Sequence, residues 1–191
     1  LGELERIGDL ALRVLKLAAD QPLIASNPPT YDILKGMADE ATAKTDGARD
    51  PLLVRTQMPR IIRALLVGID NYCHPVPPLN GCGNDIDAFA EYLTTRASGD
   101  GGSRLELKVL KDEQATRDAI IAGFREHLRP GRKGDIVLFY YAGHGSQEQA
   151  PPEFWHLEPD RLDETLVCYD SRSHGGWDLA DKELAKQIDE V

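Results

Sequence analysis

The sequence predicts an α/β fold, a three-layer αβα sandwich on a mostly parallel sheet, and three observations carry that prediction. Beyond residue 60, strand-like and helix-like segments alternate, the order that builds a parallel sheet with right-handed crossovers. Two of the strand-like segments, residues 61–69 and 136–142, are largely apolar runs, which suit strands covered on both faces. The segments richest in reactive side chains, 70–85 and 143–147, begin where those two runs end. In doubly wound sheets, sites form at the carboxyl ends of strands.

The elements follow in order. Over residues 4–19, Leu4, Ile7, Leu10, Ala11, Val14, Leu15 and Ala18 recur at three- and four-residue steps, which predicts an amphipathic helix. The Asn27-Pro28-Pro29-Thr30 break separates it from a second helical pattern over 31–44, with Ile33, Leu34, Met37, Ala38 and Ala41 on one side. Residues 1–45 therefore read as an N-terminal helical segment, able to bind a partner or to complete the core. Residues 46–59, punctuated by Asp46-Gly47, Asp50-Pro51 and Met58-Pro59, read as a linker. The main domain occupies 60–191. Its expected elements are a strand at 61–69, a helix at 84–96, a strand at 105–110 and a helix at 116–128. A strand at 136–142, a long polar loop at 143–164, a short strand at 165–169 and a helix from 181 complete it.

Composition narrows the function classes. The 191 residues carry 22 Lys and Arg against 32 Asp and Glu, a formal charge of −10, which opposes a polyanion and excludes nucleic acid as the expected partner. A basic substrate is favoured instead. No apolar run reaches the ~18–20 residues of a membrane span, and no signal-peptide pattern opens the chain. Cys73, Cys82 and Cys168 lack disulfide-framework or zinc spacing, which fits a reducing, cytoplasmic compartment. The first residue is Leu1 instead of Met, which suggests part of a longer product.

His144 stands between glycines in Ala142-Gly143-His144-Gly145-Ser146, at the end of an apolar strand. An imidazole so placed can serve as a general acid or base, or merely cap a sheet edge. The Gly-His-Gly-Ser string fails as a nucleophile elbow, because His144 stands where Ser is needed. His144, His156 and His174 have no known metal-ligand spacing. No glycine-rich phosphate loop follows Ile69, which weakens a nucleotide-binding reading.

Four ordered segments resemble the caspase-like cysteine peptidases, and within them the metacaspase kind. These are Leu66-Val67-Gly68-Ile69-Asp70-Asn71-Tyr72, Leu79-Asn80-Gly81-Cys82-Gly83-Asn84-Asp85, Tyr140-Tyr141-Ala142-Gly143-His144-Gly145, and the pair Asp163-Glu164-Thr165-Leu166 and Leu179-Ala180-Asp181-Lys182-Glu183-Leu184. The resemblance implies caspase-like topology, incomplete at the C-terminus, and a cysteine endopeptidase cleaving after Arg or Lys. It implies His144 as the catalytic imidazole, an oxyanion hole that uses the N–H of Gly145, and a substrate pocket lined by Cys82, Asp85 and Ala142. Asp85 would receive the basic side chain of a protein or peptide substrate by a charge-assisted hydrogen bond; the plainer reading is a first-turn acid at a helix N-terminus.

In caspases the His stands about 50 residues before the nucleophile, so the Cys-bearing strand is expected after Val191 and this chain alone is expected to be inactive. Cys168 reads as packing, and Cys73 beside His74 as no dyad, since neighbours on a strand end point apart. The resemblance also implies calcium, with Asp163 and Asp181 as ligands. Lys182 falls where another acid is expected, and a cation there opposes calcium. No other cofactor is implied. The rival to an enzyme is a caspase-like pseudoprotease, an interaction module that keeps the fold without the nucleophile.

Overall fold

The structure is a computed structural model that describes residues 12–17, 60–99, 103–156 and 160–191, the first of these as backbone only. Four strands form the main sheet: β1 (Leu12–Leu17), β2 (Arg60–Gly68), β3 (Ser103–Lys111) and β4 (Ile136–Ala142). Their order is β1-β4-β2-β3. β2 runs parallel to both β3 and β4, and β1 pairs antiparallel with β4 from Leu12 opposite Tyr141 to Leu17 opposite Ile136. A second, antiparallel sheet contains β5 (Gly145–Gln149), β6 (Leu162–Leu166) and β7 (Leu179–Ala180). The helices are α1 (Cys82–Gly99), α2 (Arg117–Ala122) with a wider π-helical continuation over Gly123–Leu128, and α3 (Asp181–Asp189).

Two-residue alternation distributes the side chains of the central strands between two cores. Ala64, Leu66, Leu138, Tyr140 and Ala142 face α1 and meet Ile86 and Leu93. Leu65, Val67, Phe139 and Tyr141 face the other way, onto Ile120, Phe124, Leu128 and Leu184. The central strands β2 and β4 are thus covered on both faces, which is why they are largely apolar. Gly68 lets α1 come this close, since a Cβ there would lie 3.0 Å from the carbonyl oxygen of Cys82 and closer still to Ile86 Cγ1. Thr116 starts α2 by accepting the N–H of Ala119 at 3.2 Å.

Three expectations are corrected. Leu12–Leu17, placed by periodicity in a helix, is strand β1. Leu12-Arg13-Val14-Leu15-Lys16-Leu17 is too short for its apolar positions to settle a period, so pairing with β4 decides. The rest of the expected helical segment and the linker lie outside the described residues. The long loop expected at 143–164 contains β5 and a single 3₁₀ turn, Pro152–Phe154. Gly145-Ser146-Gln147-Glu148-Gln149 carries no apolar alternation and becomes a strand through its partner β6. The strand expected at 165–169 is shifted to Leu162–Leu166.

Asp135 fixes the start of the β2–β4 pair. Its carboxylate accepts the N–H of Ile61 at 3.0 Å and that of Arg132 at 2.9 Å. Burial pushes this carboxyl up, but the two amides, with Arg63 and Arg132 nearby, hold it below the usual carboxylate range. A depressed folded-state pKa contributes stability that is present above the unfolded value and lost as pH falls through the folded one. Asp135→Asn is therefore expected to cost about 1–3 kcal/mol at neutral pH and to soften the loss of stability on acidification. Thermal melts from neutral to acid pH check this; a parallel pH profile in the variant refutes it.

Candidate active site

The site is assembled where β2 and β4 end side by side. The parallel register pairs Gly68 with Ala142, and the N–H of Ile69 carries it one residue further to the carbonyl of Ala142 at 3.0 Å. Beyond this point the chain is held by two carboxylates. Asp70 accepts the N–H groups of Cys82 and Gly83, each at 2.9 Å, and so satisfies the open N-terminus of α1. Asp112, at the end of β3, accepts the N–H groups of Asp70 and Asn71 at 2.9 Å and the Asn71 side-chain amide at 3.1 Å. Burial raises the Asp112 carboxyl, but the bonds from Asn71 and Asp70 outweigh it and hold its pKa below the ordinary range. The ends of β2 and β3 and the start of α1 thereby form one rigid frame.

His144 is fixed within that frame at both backbone and ring. Its N–H donates to the Tyr72 hydroxyl at 2.8 Å. Its carbonyl accepts the N–H of Val167 at 3.0 Å and faces the Tyr141 hydroxyl at 2.9 Å, whose proton is shared with the Val167 carbonyl at 2.8 Å. Burial pushes the phenols of Tyr72 and Tyr141 well above their ordinary values, so both remain protonated hydroxyls. Gly143 belongs to the same device. A Cβ there would lie 2.5 Å from the Tyr141 hydroxyl and 2.6 Å from that of Tyr72, so only glycine admits both phenols beneath the turn.

The imidazole itself packs against the Tyr72 ring, with centroids 5.1 Å apart at 44°. Its Nε2 lies 3.0 Å from the carbonyl oxygen of Pro77. A carbonyl only accepts, so Nε2 carries the proton and Nδ1 the lone pair. The open imidazole edge expected of a general base is narrow here, since His144 is only 7% exposed.

The other candidates fall into two groups. Cys82, the first residue of α1, packs in the cluster that contains Ala142, and both line the α1 side of the β4 end. Asp85 is exposed one turn along α1, with its N–H on the Gly81 carbonyl at 3.0 Å. Residues three apart on a helix share a face, so Asp85 stands beyond Cys82 on the same side. Gly145 is buried at the start of β5, opposite Leu166. Asp163 and Asp181 form the second group, at β6 and the first residue of α3. The Lys182 ammonium stands between them, 2.5 Å from Asp163 Oδ1 and 3.2 Å from Asp181 Oδ1. Calcium wants six to eight oxygens; two carboxylates already neutralised by a fixed cation do not fit it. Among the described residues, no group of three or more His, Cys, Asp or Glu converges as a metal site.

Of the cysteines present, Cys168 offers His144 no thiolate. Burial first, then Asp170 and Asp178, push the Cys168 thiol up to about 12, which keeps it protonated and inert. Cys73 is half-buried with its N–H on the Tyr169 carbonyl at 3.0 Å, and its neighbour His74 is exposed. The residues that sequence reasoning did not assign are Tyr72, Pro77, Tyr141 and Asp112. Tyr72 and Tyr141 stand within the quoted segments and could have been suspected; Pro77 acts through its backbone and leaves no side-chain signal.

Comparison with known proteins places this geometry. Residues 62–191 match the family described as the metacaspase, peptidase C14 domain. Metacaspase-1 of Plasmodium falciparum is 31% identical over 131 residues, covering 66% of this chain and 20% of that protein. Metacaspase-7 of Arabidopsis thaliana is 32% identical over 133 residues, covering 67% of this chain and 31% of its own. A Geobacter sulfurreducens protein of known structure superposes with a TM-score of 0.54 at 26% identity, over 70% of this chain and 46% of that one. The chain thus spans a fifth to a third of these two curated relatives. The matched region runs from β2 through α3 and contains His144 with its entire supporting frame, and on this match the chain belongs to the metacaspase, peptidase C14 domain family.

Proposed function

We propose that this chain supplies the imidazole half of a cysteine endopeptidase site that cleaves after Arg or Lys. The observation that carries the reading is the Pro77 carbonyl on His144 Nε2, which fixes the tautomer of the neutral ring and leaves its lone pair on Nδ1. The nucleophile is a cysteine thiolate from sequence following Val191. The thiol gives its proton to Nδ1, and the thiolate attacks the scissile carbonyl to form a C–S bond. The imidazolium, stabilised by the Pro77 carbonyl, then protonates the departing amine as the C–N bond breaks. Water, deprotonated by the same nitrogen, cleaves the acyl–thiol bond and restores the site. The N–H of Gly145, with that of the cysteine, would stabilise the oxyanion.

Specificity rests on Asp85, with Cys82 and Ala142 as the neutral wall beside it. An exposed carboxylate on α1, beside the apolar cluster that holds Ala142 and Cys82, favours a long cationic side chain. The excess of acidic residues over basic ones supports the same class of peptide substrate. Three free cysteines support a reducing, cytoplasmic setting. Among the described residues, no helix is long and apolar enough to cross a membrane.

Two measurements test the reading in the protein carrying this chain with its C-terminal continuation. His144→Ala is expected to lower turnover of an Arg-ending fluorogenic peptide by about 10²–10⁴-fold with an unchanged melting temperature; retained turnover refutes the imidazole's role. If the unaltered protein shows no peptidase activity and no acylation by a peptide electrophile, the caspase-like interaction module is the correct reading. Asp85→Ala is expected to lower kcat/KM for Arg- and Lys-ending peptides by about 10–100-fold, with little effect on a neutral counterpart. An equal loss for all peptides removes Asp85 from the pocket.

A further inference from the structure

The second group of carboxylates carries an inference independent of the peptidase reaction. β6 and β7 pair through Thr165 opposite Ala180, which brings Asp163 beside the first residues of α3. Asp163 is one of few buried acids, with a side chain only 5% exposed, whereas Asp181 is 41% exposed. Glu148 lies directly across the strand pair from Asp163 and therefore on the same face. Burial, then Asp178, Asp163 and Glu183, raise the Glu148 carboxyl, which shows how much negative charge gathers there. A buried carboxylate in such company needs a counter-ion, or the fold must bear its desolvation.

Two side chains supply one each. Arg172 reaches Asp178 Oδ2 at 2.6 Å, where Thr165 also donates at 2.9 Å. Lys182 reaches Asp163 at 2.5 Å and Asp181 at 3.2 Å, and its ammonium stands 5.7 Å from the centre of the Phe154 ring. Lys182 is 20% exposed at its side chain, so this is a largely enclosed contact and not a solvated surface pair. Its Nζ bridges one carboxylate from a strand and one from a helix N-terminus, which is the geometric task of a bridging metal ion.

We propose that the Lys182 ammonium is a tethered cation that takes the place of a divalent ion between Asp163 and Asp181, joining β6 to α3 without calcium. A covalently attached charge is always present, so this junction has no dependence on calcium concentration. Lys182→Gln removes the charge, keeps the polarity, and leaves the Asp163 and Asp181 carboxylates on either side of a position no cation holds.

The experiment is a thermal melt with and without millimolar calcium chloride, alongside calorimetric titration with calcium alone. The wild-type protein is expected to shift by less than about 1 °C and to bind no calcium at this place. Lys182→Gln is expected to melt roughly 5–10 °C lower and to recover part of that loss in calcium. Lys182→Arg is expected to remain indifferent to calcium. A wild-type rise in calcium that Asp163→Asn abolishes overturns the proposal. So does a Lys182→Gln protein as stable as wild type, or one destabilised yet blind to calcium. Should Lys182→Gln not fold, the wild-type titration and the Lys182→Gln/Asp163→Asn double variant decide. The proposal expects the double variant, which has no unpaired buried carboxylate, to fold and to ignore calcium; a double variant that responds to calcium overturns it.

Discussion

The parallel pairing of β2 with β4 carries everything else, because it places two strand ends of different sequence origin within one hydrogen bond of each other. The bond from Ile69 N–H to the Ala142 carbonyl is its last rung. One residue beyond that rung, the two chains diverge into Asp70 and Gly143, and each divergence is immediately pinned. Asp70 is pinned by its place between α1 and Asp112, and Gly143 by the two phenols packed beneath it. Were the register to slip by one residue, every side chain of β4 would change faces. Tyr141 would leave the core it fills, and His144 would lose the hydroxyl that holds its carbonyl.

The support around His144 is built largely from backbone groups. Its N–H, its C=O and its ring each have a partner, and two of those partners, the Pro77 carbonyl and the Val167 N–H, belong to main chain. A carbonyl cannot be protonated or titrated in the physiological range. It therefore orients the imidazole without a pH limit of its own, unlike a carboxylate in the same place. The same economy governs the Asp163–Lys182–Asp181 bridge, where a side chain of the chain itself does the holding.

Much of this was legible in the sequence, for reasons that differ by element. The central strands were readable because burial on both faces demands predominantly apolar residues, which 136–142 and, apart from Arg63, 61–69 supply. α1 and α2 were readable by their 3.6-residue period. β5 was not, because its polar residues owe their strand geometry to β6, a partner twenty or so residues away in no fixed pattern. β1 was misread because its helical periodicity rests on six residues, too few to outweigh backbone pairing with β4. At the site, His144 announced itself between glycines, and Lys182 announced itself as a misplaced cation. The Pro77 carbonyl, common to every residue type, could not be read from residue identity, and Asp112 gave no sign that its oxygens would turn back onto Asp70 and Asn71.

β4 has β2 along one side and β1 along the other, so the strand that leads into His144 presents no vacant backbone to a newcomer. Backbone donors and acceptors bond in the sheet plane, and each side of a strand accommodates a single neighbour. Any further segment that seeks to lie against β4 must first evict Leu12–Leu17.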